Sequence, residues 1–219
     1  MRVYIRFLMC SIVLLYVSTA LAYWPLLVNP NATNKFSPDA TYQVCFTPDQ
    51  NCTRLLVNAI HQAKSTIQVQ AFSFTSAPIA RALIEAHKRG IKVQVILDKS
   101  QFQGERYSSS KFLSRAGIPV YIDYQPNLAH NKVIILDGAI VVTGSFNFTK
   151  AAEKYNAENL LIIQDKKLAQ AYVKNWQQRL TVSKSLENYH GQPCTHCPQK
   201  KIVKNRNSLT PLRGRKQED

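Results

Sequence analysis

The chain has 219 residues, with 28 Lys and Arg against 13 Asp and Glu, a net charge of +15 and 45% hydrophobic residues. That length is ample for one buried core, and no internal repeat is visible, which excludes a repeat array. The positive excess suits a phosphate-bearing polymer or an anionic lipid surface without choosing between them. No base-reading motif is present, so any action on nucleic acid is expected to be sequence-nonspecific.

Arg2 and Arg6 precede an apolar stretch from Phe7 to Val17, and Ser18-Thr19-Ala20-Leu21-Ala22 supplies the small residues of a cut before Tyr23. Residues 1–22 therefore read as a secretory signal peptide. An uncleaved anchor is the competing reading, but the run is short for a span of roughly 20 residues. Cleavage removes Arg2, Arg6 and Cys10 and leaves a net charge of about +13. Residues 23–40, with Pro25, Pro30 and Pro38, form an irregular lead-in.

The main ordered domain is expected over 41–182. A strand near Tyr42–Phe46 leads into a helix from about Thr53 to Lys64. Thr66–Phe72 alternates Ile67, Val69 and Ala71 with Gln68 and Gln70, which marks a strand. Ser76 is placed to cap the next helix, with Pro78 in its first turn, Ile79, Leu83 and Ala86 as its buried stripe, and Gly90 ending it. Lys92–Leu97 is a strand, Ser109–Ala116 a helix and Pro119–Asp123 a strand. A hairpin follows, then a strand over Glu158–Ile163. The last helix spans Lys166–Leu180, with Leu168, Tyr172 and Trp176 on one side. Strands alternating with helices and ending in a hairpin imply an α/β fold with a mixed central sheet flanked by helices. Residues 183–219 are polar and basic without an apolar period, and read as a largely mobile tail. That tail is either an electrostatic arm or a solubilising one.

The hairpin carries the chemistry. His130 and Lys132 lie two apart on an extended segment and project from one face. Val133–Leu136 is apolar, Asp137-Gly138 turns the chain, and Gly144-Ser145-x-Asn147 leaves the second strand at the end where His130 entered the first. An imidazole, an ammonium and an amide then surround one phosphate. A neutral imidazole can attack an anionic diester and form a phosphohistidine. The ammonium meets the non-bridging oxygens, and the Asn147 amide and Ser145 hydroxyl add directed hydrogen bonds. A departing alkoxide also needs an acid near neutral pKa, for which a second histidine fits best.

The string His130-x-Lys132-(x4)-Asp137-(x6)-Gly144-Ser145-x-Asn147 is similar to the HKD motif of the phospholipase D superfamily. Six fixed positions at about 1 in 20 each match by chance roughly once in 10^8 starts. The likeness runs from about Thr41 to Leu180, through Cys45-Phe46-Thr47-Pro48, Asn51-Cys52-Thr53, Val69-Gln70-Ala71-Phe72-Ser73-Phe74-Thr75-Ser76 and Asn156-Ala157-Glu158-Asn159. It resembles most the small, secreted, single-motif bacterial branch, which holds a periplasmic endonuclease and short phospholipase D proteins.

The resemblance implies a metal-independent site, without cofactor, shared by two chains. His61, His87, His190 and His196 are not followed two places later by lysine, so the second catalytic histidine is expected to be His130 of another copy in a two-fold homodimer. No other stable protein partner is expected. The resemblance also implies that Glu158 accepts a hydrogen bond from the catalytic imidazole and fixes its tautomer, in the manner of a triad carboxylate. Asp137 sits at the far end of the strand and is expected to be structural, and Ser145 is either a phosphate contact or a turn residue. Cys45 and Cys52 follow the branch's disulfide pattern, with two separate thiols as the alternative. Cys194-Thr195-His196-Cys197 with His190 allows a compressed zinc set, but a local disulfide or a tail feature is preferred. The implied activity is a nonspecific endonuclease on DNA or RNA, secreted or periplasmic. The alternative is a phospholipase D acting on phosphatidylcholine-type lipids, for which Phe146 and Phe148 are either an apolar rim or part of the core.

Overall fold

The structure is a computed structural model that describes residues 33–103 and 109–189. The expected signal peptide, most of the lead-in, the cysteine pair with its histidines and the basic stretch from residue 190 lie outside those residues. The chain divides into units at Pro38, and the fold described below belongs to the unit that starts at Asp39.

Eight strands form one sheet: β1 (Thr41–Thr47), β2 (Thr66–Ala71), β3 (Lys92–Asp98), β4 (Val120–Asp123), β5 (Lys132–Leu136), β6 (Ile140–Gly144), β7 (Glu158–Gln164) and β8 (Lys184–Ser185). Their spatial order is β1-β7-β6-β5-β2-β3-β4-β8. β2, β3 and β4 are parallel neighbours joined through helices, and every other pairing is antiparallel. The helices are α1 (Cys52–Gln62), α2 (Ala77–Lys88), α3 (Ser100–Gln103), α4 (Ser110–Arg115), α5 (Lys150–Lys154) and α6 (Lys166–Thr181). The mixed α/β sheet expected from the sequence is therefore present.

The alternation of strand residues divides the interior into two cores. On one face Ile67, Val69, Val95, Ile134, Leu136 and Val142 pack with Leu56 and Ile60 of α1, Ile79 and Leu83 of α2 and Leu113 of α4. On the other, Ile96, Val133, Ile135 and Val141 pack beneath Ala169 and Trp176 of α6. All five residues of β5 are buried, so the first strand of the hairpin is covered on both sides. α6 is fixed by polar contacts as well. The Trp176 Nε1–H donates to the Val69 carbonyl at 3.0 Å, and Arg179 makes a bidentate pair with buried Asp123 at 2.6 and 2.8 Å.

The expected boundary at residue 182 is corrected. β8 pairs antiparallel with β4, and Tyr189 is 1% exposed against the rings of Phe102 and Tyr124. Without this segment β4 would present an unpaired edge, which the chain past α6 instead covers. The globular domain thus extends through residue 189. The short helices α3 and α5 were also absent from the sequence reading, being too brief to show a period. Cys45 and Cys52 are disulfide-bonded, joining β1 to the start of α1.

Candidate active site

The hairpin turn brings the motif residues to one edge of the sheet. Asp137 (φ 54°) and Gly138 (φ 60°) are both left-handed, and the Ala139 amide donates back to the Leu136 carbonyl. Aspartate tolerates this conformation better than most side chains, and glycine adopts it freely. The resulting register pairs Leu136 with Ile140 and Ile134 with Val142. Carried two residues further, it sets Gly144 opposite Lys132. β6 therefore delivers Ser145 and Asn147 to the end where β5 begins.

The loop before β5 is held from below. Buried Asp98, at the end of β3, accepts from the Ala129 amide at 2.7 Å and the Ser100 amide at 2.9 Å. Lys99 donates to the Pro126 carbonyl at 2.7 Å, and the Phe72 amide donates to the Asn131 carbonyl at 2.8 Å. These contacts bracket His130, whose exposed ring packs on Phe72 with centroids 4.4 Å apart. Asp98 went unassigned in the sequence, although an acid closing the apolar run Val93–Leu97 was a readable sign.

Lys132 lies beneath the imidazole. Its Nζ is 3.1 Å from both ring nitrogens of His130, donates to the His130 carbonyl at 2.9 Å, and sits 5.0 Å from the Phe72 ring centroid. The residue is only 8% exposed. Burial holds the ammonium below its usual pKa of 10.5, and the nearby Glu158 carboxylate partly offsets that loss. Glu158 itself accepts from the Asn156 amide group at 2.9 Å. The hydrogen bond to the imidazole that the resemblance implied is thus not made within this chain. The imidazole is turned over the ammonium instead, and Glu158 acts on Lys132 through charge.

Asn147 lies between two anchors, Phe146 and Phe148, each 1% exposed. Phe148 also accepts from the Thr75 and Ser76 amides through its carbonyl. Of the two roles open to these phenylalanines, apolar rim or core, their burial selects the core. Asn147 Oδ1 is buried and has no partner among the described residues, an arrangement that ordinarily costs about 1–3 kcal/mol. The atom left open is an acceptor, and it is the Nδ2 end of this amide that donates to a phosphate oxygen.

The remaining motif positions make contacts within the fold. Gly144 (φ +145°) lies so close to β7 that an added Cβ would meet the Asn159 carbonyl oxygen at 2.2 Å. That carbonyl accepts from the Ser145 and Phe146 amides, while the Ser145 hydroxyl accepts from the Asn159 amide at 3.0 Å. Asp137, at the opposite end of β5, accepts from the amides of Lys64, Ser65 and Thr66 and from the Ser65 hydroxyl, at 2.7–3.0 Å. Burial acts to raise its pKa, but these four bonds together hold the carboxyl below its ordinary value.

Residues 56–180 match the family model described as "Cardiolipin synthase, PLD-like domain". The chain is 49% identical over 135 residues to a phospholipase D of Rickettsia felis, covering 62% of this chain and 67% of that protein. It is 35% identical over 129 residues to the mitochondrial cardiolipin hydrolase of Xenopus laevis, covering 59% and 60% of the two chains. Among solved structures it is similar to Nuc from Salmonella typhimurium, a phospholipase D family member. There the TM-score is 0.64 at 38% identity, over 67% of this chain and 98% of that one.

Proposed function

This chain belongs to the phospholipase D superfamily and is a phosphodiester hydrolase, and from that premise we propose that it is a metal-independent, sequence-nonspecific endonuclease acting through a phosphohistidine. The observation that carries the chemistry is the Lys132 ammonium 3.1 Å from the His130 ring at an open sheet edge. In this reading a neutral His130 nitrogen attacks phosphorus, forming the P–N bond as the bond to the leaving oxygen breaks. Lys132 and the Asn147 amide hold the non-bridging oxygens as charge gathers there. The leaving oxygen takes its proton from the imidazolium of His130 of the partner subunit. Water then attacks phosphorus, returns a proton to that imidazole, and the P–N bond opens. The partner is a second copy, because among the described residues one such histidine reaches the site. Glu158 supports the charge on Lys132.

Nucleic acid is favoured as substrate by the burial of Phe146 and Phe148, which leaves neither ring free to dock on a lipid surface. One observation favours a phospholipid as the second reading: Leu128, two residues before His130, is 56% exposed beside the site. Export follows from the signal-like N-terminus. Among the described residues no helix is long and apolar enough to cross a membrane.

The test is to purify the chain in EDTA and offer single-stranded DNA, duplex DNA and phosphatidylcholine vesicles, with His130→Asn as the control. Cleavage of DNA in chelator, absent in the variant and carried by a dimer, is expected. Turnover of phosphatidylcholine alone would overturn the nuclease reading, and full turnover by a verified monomer would overturn the shared site.

A further inference from the structure

β1, β2 and β6 all run toward the edge that carries His130, so α1, α2 and α5, which follow them, begin on that edge. Their first turns enclose a cavity of about 440 Å³ whose walls include Thr53, Thr75, Ser76, Lys150, Glu153 and Lys154. This volume lies within the range of small-ligand sites. The chain enters the cavity wall two residues after Asn147, at Thr149.

The two longer helices meet the cavity differently. At α1 the Thr53 and Arg54 amides are already satisfied. Asn51 accepts from the Arg54 amide at 2.9 Å, and the buried Glu153 carboxylate accepts from the Thr53 amide and hydroxyl at 2.9 and 2.8 Å. At α2 the corresponding capping bond is absent. Ser76 occupies the cap position and is only 6% exposed, yet its hydroxyl bonds no amide of the helix and has no other partner among the described residues. Pro78 has no N–H, which leaves the Ala77 amide as the first-turn donor on the cavity wall. An unused hydroxyl on a largely buried serine thus stands at a helix end where partial positive charge collects. Lys150 and Lys154, one turn apart on α5, add two cations to the same wall against the single, already bonded carboxylate of Glu153.

We propose that this cavity is a subsite for a second phosphate of a nucleic-acid strand whose scissile diester lies over His130, an assignment that rests on the nuclease reading. Ser76, the Ala77 amide, Lys150 and Lys154 are its recognition groups. A nucleic-acid strand carries a phosphate at every nucleotide, so it fills the reactive site and this cavity together. A phosphatidylcholine molecule, with one phosphate, fills only the first.

The test uses the full chain carrying His130→Asn, so that bound strands stay intact. A thymidine tetranucleotide is expected to shift the backbone amide resonance of Ala77, and the dinucleotide TpT, with one phosphate, to leave it in place. Replacing Lys150→Ala together with Lys154→Ala is expected to weaken tetranucleotide binding about tenfold and to lower the slope of log K against log salt by about 0.7, one phosphate's worth for a single strand. Both lysines are surface residues, and unchanged amide spectra elsewhere will report an intact fold. A silent Ala77 amide, or unchanged affinity in the double variant, overturns the subsite. If that amide responds while the chain with His130 intact leaves the tetranucleotide uncut, the subsite stands and the nuclease reading falls.

Discussion

Replacing Asp137 with alanine separates architecture from chemistry inside the motif. The carboxylate accepts four hydrogen bonds, from the amides of Lys64, Ser65 and Thr66 and from the Ser65 hydroxyl. Bonds to a charged acceptor contribute about 1.5–3 kcal/mol each at most, and these donors regain water when it is removed, so the group contributes about 3 kcal/mol in all. The left-handed backbone at φ 54° adds about 1 kcal/mol of strain for alanine. Together they correspond to a fall in Tm of roughly 10 °C for a domain of this size. Asp137→Gly is expected to recover the strain and not the bonds, and so to melt slightly above the alanine variant.

The pH dependence follows from the sign of the shift. The folded carboxyl is held below 3.8, so its contribution is fully present above the unfolded value and is lost as the pH falls through the folded one. The gap in Tm between the parent and Asp137→Ala should therefore be constant near neutrality and close under strongly acidic conditions. Hydrolysis of a diester, assayed well below both melting points, should stay within about twofold of the parent. A Tm change under about 2 °C, or a large activity loss in a folded Asp137→Ala chain, would refute the structural assignment.

Gly144→Ala must push β6 away from the Asn159 carbonyl that its Cβ would meet at 2.2 Å, and is expected to cost about 3 kcal/mol or more with loss of activity. A normal denaturant midpoint would show that the two strands are not so closely joined. Lys132 titrates below 10.5 because it is buried, so the alkaline limb of kcat should fall below that pH. Between the folded and unfolded pKa values the unfolded chain binds more protons, which makes this group's contribution to stability grow as activity declines. A limb at or above 10.5, or one that coincides with melting, would contradict this.

Much of the architecture was legible because strand alternation and the caps are local. The period-2 pattern of Thr66–Ala71, the apolar run of β5 and the Asp137-Gly138 turn each act over a few residues. The contacts that hold the site in place were not, because they join distant segments. Asp98 reaches the Ala129 amide 31 positions away, and Glu153 reaches Thr53 across 100. β8 is two residues long and Tyr189 is a lone aromatic, so neither gives a periodic signal, and only the open edge of β4 explains them. Ser76 was read as a helix cap from its residue type, but its backbone carries the cap geometry while its hydroxyl remains unused.

The division within the motif follows from where each residue falls along the hairpin. Turn chemistry must sit at one end and reactive chemistry at the other, because the turn consumes its polar groups in closing the chain. Asp137 has four donors at its carboxylate and faces the segment between α1 and β2. His130, Lys132 and Asn147 gather at the open end, where Asn147 keeps a buried oxygen without a partner. Gly144 and Ser145 tie that end to β7 through Asn159, so that Glu158 arrives beside Lys132 as a consequence of strand pairing. The spacing from His130 to Asn147 is thus set by the length of two five-residue strands and a tight turn. Inserting one residue into either strand would reverse the facing of everything beyond it and separate the ammonium from the amide.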